Sequence, residues 1–497
     1  MQRRRKSGIL LHPSSLPGPG GIGSLGADAY RFVDFLQQAG QTMWQILPLG
    51  PTAYGNSPYS CYSAFAGNPL LISLESIIDD GDVDSKDLKP NLPSGRVDYS
   101  LVQPYKLGVL RKAASRFFET ADQRRKDDFW YFCDNTFWLH DHALFMALKE
   151  HYSGKSWCDW PEDIALRKPE AVAEHSEKLG TAIGEHKYMQ WQFFRQWQRL
   201  KSYTNDRHIE IIGDMPIFVA FDSTDVWANP HLFHLDKKGR PTLVAGVPPD
   251  YFSKTGQLWG NPLYNWERVA EEGFSWWVAR VRNDLSLYDR VRIDHFRGFE
   301  AYWEVPAGEK TAKNGRWIKG PGDALFYALA SQLGPVPLIA EDLGVITPEV
   351  EALRDKFGFP GMKILQFAFG SGPSNPYLPH NHVQNCAVYT GTHDNDTTSG
   401  WFALLKEKEK QDILCYLNIG AENISWDFVR STLASVADMA IFPLQDILGL
   451  DSEARMNIPG VAGGNWSWRF SAEMLDNGVA KRLKALTEMY GRGRSNL

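Results

Sequence analysis

The chain has 497 residues, of which 43% are hydrophobic and 23% charged, an ordinary balance for a globular protein. Its formal net charge is -6 and its pI is about 6.1, so there is no basic surplus to indicate a nucleic-acid partner or an acidic membrane surface. The five cysteines are widely spaced and form no CxxC or CxxH motif, which argues against a disulfide framework and against a zinc site.

The N-terminus is basic but does not have the pattern of a signal peptide. Its apolar run, at 8–11, is short and is followed at once by Pro13, Pro17 and Pro19. No stretch approaches the length of a transmembrane helix, so no membrane partner is expected. We therefore expect a cytoplasmic protein, or the mature form of an organellar protein such as one of the plastid stroma.

Eight short apolar segments have the character of buried parallel strands, because they end in Gly, Pro or polar residues. They lie at 8–11, 43–48, 209–213, 290–293, 337–340, 362–367, 387–390 and 438–444. Several are followed directly by polar clusters, among them HPSS, DMP, DHFRG, EDLG and THDND. Reactive side chains at the carboxyl ends of eight strands are typical of a (β/α)8 TIM barrel, which is the predicted α/β fold. A doubly wound open sheet is the alternative, since strand patterns alone do not prove closure.

Long intervals after the second and third strands predict insertions into a single catalytic barrel spanning 1–497. The interval 51–207 has apolar residues at helical spacing over 105–120, 127–152 and 169–203, which predicts a mainly helical subdomain. Most of its aromatic residues are expected in its core: Trp130, Phe137, Trp138, Phe193 and Trp197.

The second insertion, 222–281, is rich in Pro, Gly and aromatic residues and predicts ordered substrate loops at the barrel mouth. The connections between the fourth and seventh strands are predicted to be short and helical.

Two acidic residues follow neighbouring candidate strands. Asp294 ends the fourth strand in VRIDHFRG, and Glu341 ends the fifth in LIAEDLG. Because neighbouring parallel strands lie about 4.8 Å apart, the two carboxylates are predicted to face each other at about 5–5.5 Å. This separation suits a retaining glycosidase, in which one carboxylate attacks the anomeric carbon and the other protonates the leaving oxygen.

Further polar residues are predicted at the same end of the barrel. Asp394 and His393 follow the seventh strand in TGTHDND, and Asp214 follows the third in IIGDMP. Arg292 lies two residues before Asp294, so strand alternation points it into the same interior, where it would keep Asp294 ionised. Glu341, which has to donate a proton, needs a raised pKa instead.

Two other interpretations of these acids are open. An Asp at a strand end often caps the following helix, and Asp342 beside Glu341 fits that role. Clustered Asp and His residues also bind hard cations. However, no HExxH motif occurs, and His295 and His393 lie on separate strands. No P-loop or dinucleotide fingerprint occurs either, so no metal and no organic cofactor is expected.

The ordered set of motifs resembles a known family. VRIDHFRG, IAEDLG and THDND resemble the α-amylase clan of glycoside hydrolases. The similarity narrows to the 4-α-glucanotransferases called amylomaltase or disproportionating enzyme through LHPSSLPGPGGIGSLG, IGDMPIFVAFDSTDVW, GVPPDYFSKTGQLWGNPLYNW and MNIPGVAGGNWSWR. It covers essentially the whole chain. The resemblance implies a transglycosylating enzyme that acts on α-1,4-glucans and malto-oligosaccharides through a glycosyl-Asp intermediate.

The resemblance also implies roles for individual residues. Asp294 is the implied nucleophile, Glu341 the general acid/base, and Asp394 the residue that grips hydroxyls of the distorted sugar. The implied substrate-binding residues are Tyr59, Asp214, Arg292, His393, Trp259, Asp250, Tyr251, Phe252 and Asn465. For the aromatic residues, plain loop packing is the alternative. For the whole protein, the alternatives are an α-amylase-type hydrolase and a non-catalytic glucan-binding protein.

Overall fold

The computed structural model describes residues 5–88, 92–249, 253–461 and 463–493. Over these ranges the chain forms twelve strands: β1 Lys6–Leu10, β2 Met43–Gln45, β3 Glu210–Pro216, β4 Leu243–Val247, β5 Gln257–Pro262, β6 Arg290–Asp294, β7 Ala301–Pro306, β8 Arg316–Lys319, β9 Leu338–Ala340, β10 Gly361–Ile364, β11 Cys386–Tyr389 and β12 Met439–Pro443.

The α-helices of the same ranges are α1 Ala27–Gln38, α2 Leu74–Asp79, α3 Tyr99–Thr120, α4 Gln123–Asn135, α5 Leu139–His151, α6 Glu162–Ala165, α7 Pro169–Lys178, α8 Gly180–Asp206, α9 Thr224–Ala228, α10 Trp266–Glu271, α11 Ser275–Leu287, α12 Asp323–Leu333, α13 Pro348–Lys356, α14 Thr398–Leu404, α15 Glu407–Leu417, α16 Ile424–Ala434, α17 Leu444–Ile447 and α18 Asn477–Met489. In the part of the chain that the structure describes, no helix is both long and apolar enough to span a membrane.

Eight parallel strands form the barrel, in the order β10-β11-β12-β1-β2-β3-β6-β9. Each of the eight apolar segments predicted from the sequence overlaps one of them. The first and last strands of this order meet at a seam, where the Ala340 N–H donates to the Pro360 carbonyl at 2.9 Å. The prediction of a (β/α)8 barrel is therefore confirmed, and the carboxyl ends of all eight strands lie at one face.

A buried ion pair reinforces the seam between β9 and β10. The Asp342 carboxylate accepts a hydrogen bond from the Met362 N–H at 2.7 Å and pairs with the guanidinium of Arg354 on α13. Asp342 is buried, and Arg354 is nearly so. Asp342 directly follows Glu341, so the same contact fixes the end of the strand that carries the predicted acid/base.

The interval 51–207 contains α2 to α8 and packs a core of its own aromatic residues. The predicted helices over 127–152 and 169–203 are each interrupted, the first at 136–138 and the second at Leu179. Trp138, Phe193 and Trp197 are buried as expected, but Trp130 is 51% exposed and Phe137 70% exposed. Phe129 is the residue of α4 that faces the core, so its neighbour Trp130 points away from it. The delimitation of this interval as a subdomain stays a prediction.

A second, antiparallel sheet lies beside the barrel, in the order β5-β4-β7-β8. β4 and β5 come from the interval 222–281, and β7 and β8 from the connection between β6 and β9. The expectation of a short helical connection there is wrong, because α12 begins only after these two strands. β8 is mostly exposed, with the burial pattern exposed, exposed, intermediate, exposed. A search for buried apolar runs therefore misses it.

We expect Arg354→Met to destabilise the protein by about 3 kcal/mol, because it leaves the buried Asp342 carboxylate without its cation. The free energy of unfolding is measured by chemical denaturation. Arg268→Met is the matched control: Arg268 pairs with Glu271 and Glu272 on the surface, and its loss should change stability by about 1 kcal/mol or less. Equal effects of the two substitutions would contradict the assigned role of Arg354 at the seam.

Candidate active site

Asp294 and Glu341 emerge side by side at the carboxyl face of the barrel. Ile293 of β6 pairs in register with Ala340 of β9, so the next residue on each strand is one of the two acids. The Glu341 N–H donates to the Ile293 carbonyl at 3.0 Å, which extends the ladder to the acid itself. Neighbouring strands thus place two carboxylates at the same height, as the sequence predicted.

Arg292 holds two acids with one buried guanidinium. One of its terminal nitrogens, Nη1, donates to both carboxylate oxygens of Asp214, at 2.8 and 2.6 Å, and the other, Nη2, donates to Asp294 at 2.9 Å. Asp214 also accepts a hydrogen bond from the Tyr59 hydroxyl at 2.7 Å. Charge-assisted hydrogen bonds of this kind fix orientation as well as charge. Arg292 therefore orients the Asp294 carboxylate and balances its charge from inside the barrel, while the Asp294 side chain stays partly exposed to the cleft.

Glu341 has a different environment. The pKa of Glu341 is raised to about 8, mainly by burial and next by the negative charge of Asp294, while Arg292 opposes both effects. Its carboxyl group accepts hydrogen bonds from the main-chain N–H groups of His295, at 2.6 Å, and Leu343, at 3.0 Å. These donors favour the charged form but do not outweigh burial. Glu341 consequently holds its proton at neutral pH, as a general acid must.

The contact from His295 depends on an unusual backbone conformation. His295 has φ +54°, in the left-handed region, which turns its N–H toward Glu341. Its ring meets the Trp259 ring edge to face at 4.8 Å. His295 thus links the acid to the second sheet, a role that the sequence did not indicate because strand patterns carry no information on such a turn.

Three rings form an aromatic wall beside the acids. Tyr59 stacks on His393 with ring centroids 5.0 Å apart and planes 15° apart, and Trp466 lies about 6 Å from both, at 6.0 and 5.9 Å. All three come from different loops, after β2, after β11 and after β12. Stacked rings present flat apolar surface, which suits the apolar face of a pyranose.

Asp394 stands at the edge of the same group and is the most open of the acids, with 48% of its side chain exposed. Its Oδ1 accepts a hydrogen bond from the Asn457 amide at 2.6 Å and lies 3.4 Å from the His393 ring nitrogen Nε2. The sequence singled out Asp394 and His393 but not Asn457. The sequence does not show which residue a polar side chain in a long loop will contact, because that depends on how the loop folds.

The remaining predicted residues differ in position. Trp259 on β5 is 38% exposed and lies at the mouth of the barrel. Asn465 holds its own loop, because its amide accepts from the Ile458 N–H at 2.9 Å and donates to the carbonyls of Ile458 and Val461, at 3.2 and 2.9 Å. Three predicted residues lie outside the described ranges: Asp250, Tyr251 and Phe252.

The clustered acids were also considered as possible metal ligands. Over the described ranges, no three His, Cys, Asp or Glu residues are arranged to hold a metal ion. The acids of this site are held instead by a guanidinium, a phenol hydroxyl and main-chain N–H groups.

Comparisons with known proteins agree with this geometry. Residues 11–475 match the model of a family described as 4-alpha-glucanotransferase. The 4-alpha-glucanotransferase of Synechocystis sp. is 53% identical over 99% of this chain and 99% of its own length. The chloroplastic/amyloplastic 4-alpha-glucanotransferase of Solanum tuberosum is 48% identical over 98% of this chain and 87% of its own. The amylomaltase from Streptococcus agalactiae in complex with acarbose superposes with a TM-score of 0.96, at 41% identity, covering 99% of this chain and 100% of that one.

We expect Asp294→Asn to lower the pKa of Glu341, because the substitution removes the negative charge that raises it. Infrared difference titration follows the protonated carboxyl band, which is assigned by its loss in Glu341→Gln. Asp394→Asn is the control and should leave this pKa unchanged, since the charge of Asp394 is not among those acting on Glu341. An unchanged pKa in Asp294→Asn would show that the two carboxyl groups do not face each other.

Proposed function

The chain belongs to the 4-alpha-glucanotransferase family, and on this premise we propose that it transfers segments of α-1,4-glucan to the 4-hydroxyl of another glucan or of glucose. The reaction is a retaining double displacement. The observation that carries this proposal is the pair Asp294 and Glu341, in register on adjacent strands, with Asp294 hydrogen-bonded to Arg292 and the pKa of Glu341 raised to about 8. A retaining mechanism needs one ionised and one protonated carboxyl group side by side.

Asp294 attacks the anomeric carbon in the first step. The carboxylate forms a covalent bond to that carbon while the bond to the leaving glycosidic oxygen breaks, and the proton of Glu341 goes to that oxygen. In the second step Glu341, now ionised, takes the proton of the acceptor 4-hydroxyl as this oxygen displaces Asp294. Arg292 supports both steps, because it donates a hydrogen bond to the carboxylate that attacks in the first step and leaves in the second.

The other polar residues bind the sugar at the reacting position. Asp394 offers carboxylate oxygens to ring hydroxyls, which is the role expected of a group that strengthens its contacts as the ring flattens. Tyr59 and His393 provide the apolar wall on which the ring rests. Asp214 is fully engaged by Arg292 and Tyr59, so its contribution is to hold these two in place.

Transfer rather than hydrolysis requires an acceptor site that holds sugar and excludes water. Trp259 is proposed to line the acceptor side, and its packing against His295, whose N–H contacts Glu341, supports this. A well-oriented acceptor reaches an effective molarity of about 10⁵ M or more, enough to outcompete water. The aromatic residues of the insertions support such positioning, and Asp250, Tyr251 and Phe252 are proposed to contribute to the same wall.

A cytoplasmic or plastid location is proposed with this activity. The relative from Solanum tuberosum is named chloroplastic/amyloplastic, which supports the plastid for a plant protein of this kind. Fractionation of the source cells, with the activity followed in each fraction, tests the location.

Incubation with maltotriose tests the proposed reaction. We expect glucose together with maltodextrins longer than maltotriose, and a constant number of reducing ends, because transfer breaks one linkage for each one it makes. Asp294→Asn and Glu341→Gln should each reduce turnover by about a thousandfold or more while circular dichroism shows an unchanged fold. Rising reducing ends would identify a hydrolase, and absent turnover in the wild type a non-catalytic binding protein. Near-wild-type rates in either variant would contradict the mechanism.

We expect Trp259→Ala to raise the share of hydrolysis, because water gains access to the glycosyl intermediate when the acceptor is held less well. The measurement is the growth of reducing ends relative to glucose release from maltotriose. Trp130→Ala is the matched control: this tryptophan is 51% exposed, on α4 of the helical insertion. If both variants keep the wild-type ratio, Trp259 does not form the acceptor wall.

A further inference from the structure

We propose that Asn457 is a positioning residue that orients the carboxylate of Asp394 toward the substrate. The inference rests on the proposed function, in which Asp394 grips hydroxyls of the reacting sugar. Asn457 belongs to residues 454–461, here called the strap, which follow β12 and lie at the carboxyl face of the barrel.

The side-chain contact is short and directed at one oxygen. The Asn457 Nδ2 donates to Asp394 Oδ1 at 2.6 Å. The other polar neighbour of this carboxylate, the His393 Nε2 at 3.4 Å, lies against the same Oδ1. Among the described residues both contacts therefore fall on one oxygen, which leaves Oδ2 to accept from a sugar hydroxyl. Because the Asp394 side chain is about half exposed, packing alone does not select its rotamer.

The strap is anchored independently of this contact. The Asn457 N–H donates to the His393 carbonyl at 3.2 Å. The guanidinium of Arg455 donates to the Asp394 carbonyl at 2.6 Å and to the Asn457 carbonyl at 2.7 Å. These three hydrogen bonds, all accepted by main-chain carbonyls, join the strap to the loop after β11 without using the Asn457 side chain. Its amide is therefore available for orienting Asp394, and its removal leaves the strap in place.

The choice of a neutral donor is consistent with this role. The charged and titratable groups around the contact are His393 on the same loop as Asp394, Arg455 on the strap, and Tyr59 from the loop after β2. The Arg455 cation is directed at carbonyl oxygens, whereas the carboxylate of Asp394 is met by an amide. An amide aligns the carboxylate and leaves its full negative charge for the substrate, which a salt bridge would partly neutralise.

Two substitutions separate orientation from other effects. Asn457→Ala removes the donor, and we expect kcat for maltotriose disproportionation to fall by about tenfold or more, with a smaller change in KM, because a misoriented Asp394 acts mainly in the transition state. Asn457→Asp keeps the shape of the side chain. When protonated, the introduced carboxyl group donates to Asp394, since two close carboxyl groups share one proton; when ionised, it repels Asp394.

The decisive measurement is the ratio of kcat for Asn457→Asp to kcat for the wild type, from about pH 5 to about pH 8. We expect this ratio to fall as pH rises, and to approach the value for Asn457→Ala at the alkaline end. Asn385→Asp is the control for added charge, because Asn385 is partly exposed just before β11, at the opposite end of the barrel, and donates to the Gly358 carbonyl. Its ratio should not change with pH.

The outcomes are distinct. A pH-independent ratio for Asn457→Asp, or a wild-type kcat in Asn457→Ala, would overturn the inference while the wild type still disproportionates maltotriose. A wild type without this activity would instead refute the proposed function. A lower unfolding temperature in both Asn457 variants, with a ratio that does not vary with pH, would show a purely structural role and would also overturn it.

Discussion

The guanidinium of Arg292 lies between the carboxylates of Asp214 and Asp294 and donates hydrogen bonds to both. Without it, the buried carboxylate of Asp214 and the partly exposed carboxylate of Asp294 would repel each other across neighbouring strand ends. Burial does raise the pKa of Asp214, and Arg292 is the main opposing influence. The two carboxylates are thus held together on the floor of the barrel by a residue that the strand itself points inward.

The contrast between the two reacting acids follows from the same arrangement. Arg292 contacts Asp294 directly, whereas it acts on Glu341 only at a distance and is outweighed by burial and by the charge of Asp294. Asp294 therefore supplies the charge that keeps its partner protonated. Neither environment requires a residue beyond those at the ends of β3, β6 and β9, so the chemistry is built into the rigid part of the fold.

The parts of the site that could be predicted from the sequence are those fixed by strand periodicity. Apolar runs marked the eight barrel strands, and alternation placed Arg292 beside Asp294. The same rule explains what was missed. β7 is interrupted by a buried glutamate, Glu304, and β8 is mostly exposed, so neither gave a continuous buried apolar run. Trp130 and Phe137 were assigned to the core, but helical phase points Trp130 outward and Phe137 lies in the turn between α4 and α5.

The contacts that could not be predicted are those between loops distant in sequence. The strap meets the loop after β11 through Asn457 and Arg455, about sixty residues beyond Asp394, and no local pattern encodes that meeting. The sequence likewise gives no sign of the left-handed turn at His295.

Contacts made by residues on the barrel strands and contacts made by residues on the loops have different consequences. In the proposed mechanism, strand-borne residues determine whether a glycosyl intermediate forms, because their geometry is fixed by the ladder. Loop-borne residues such as Trp259 and Asn457 are proposed to determine how the sugar is held and whether water reaches it. Changes in the loops can therefore alter acceptor choice while the acids on the barrel remain the same.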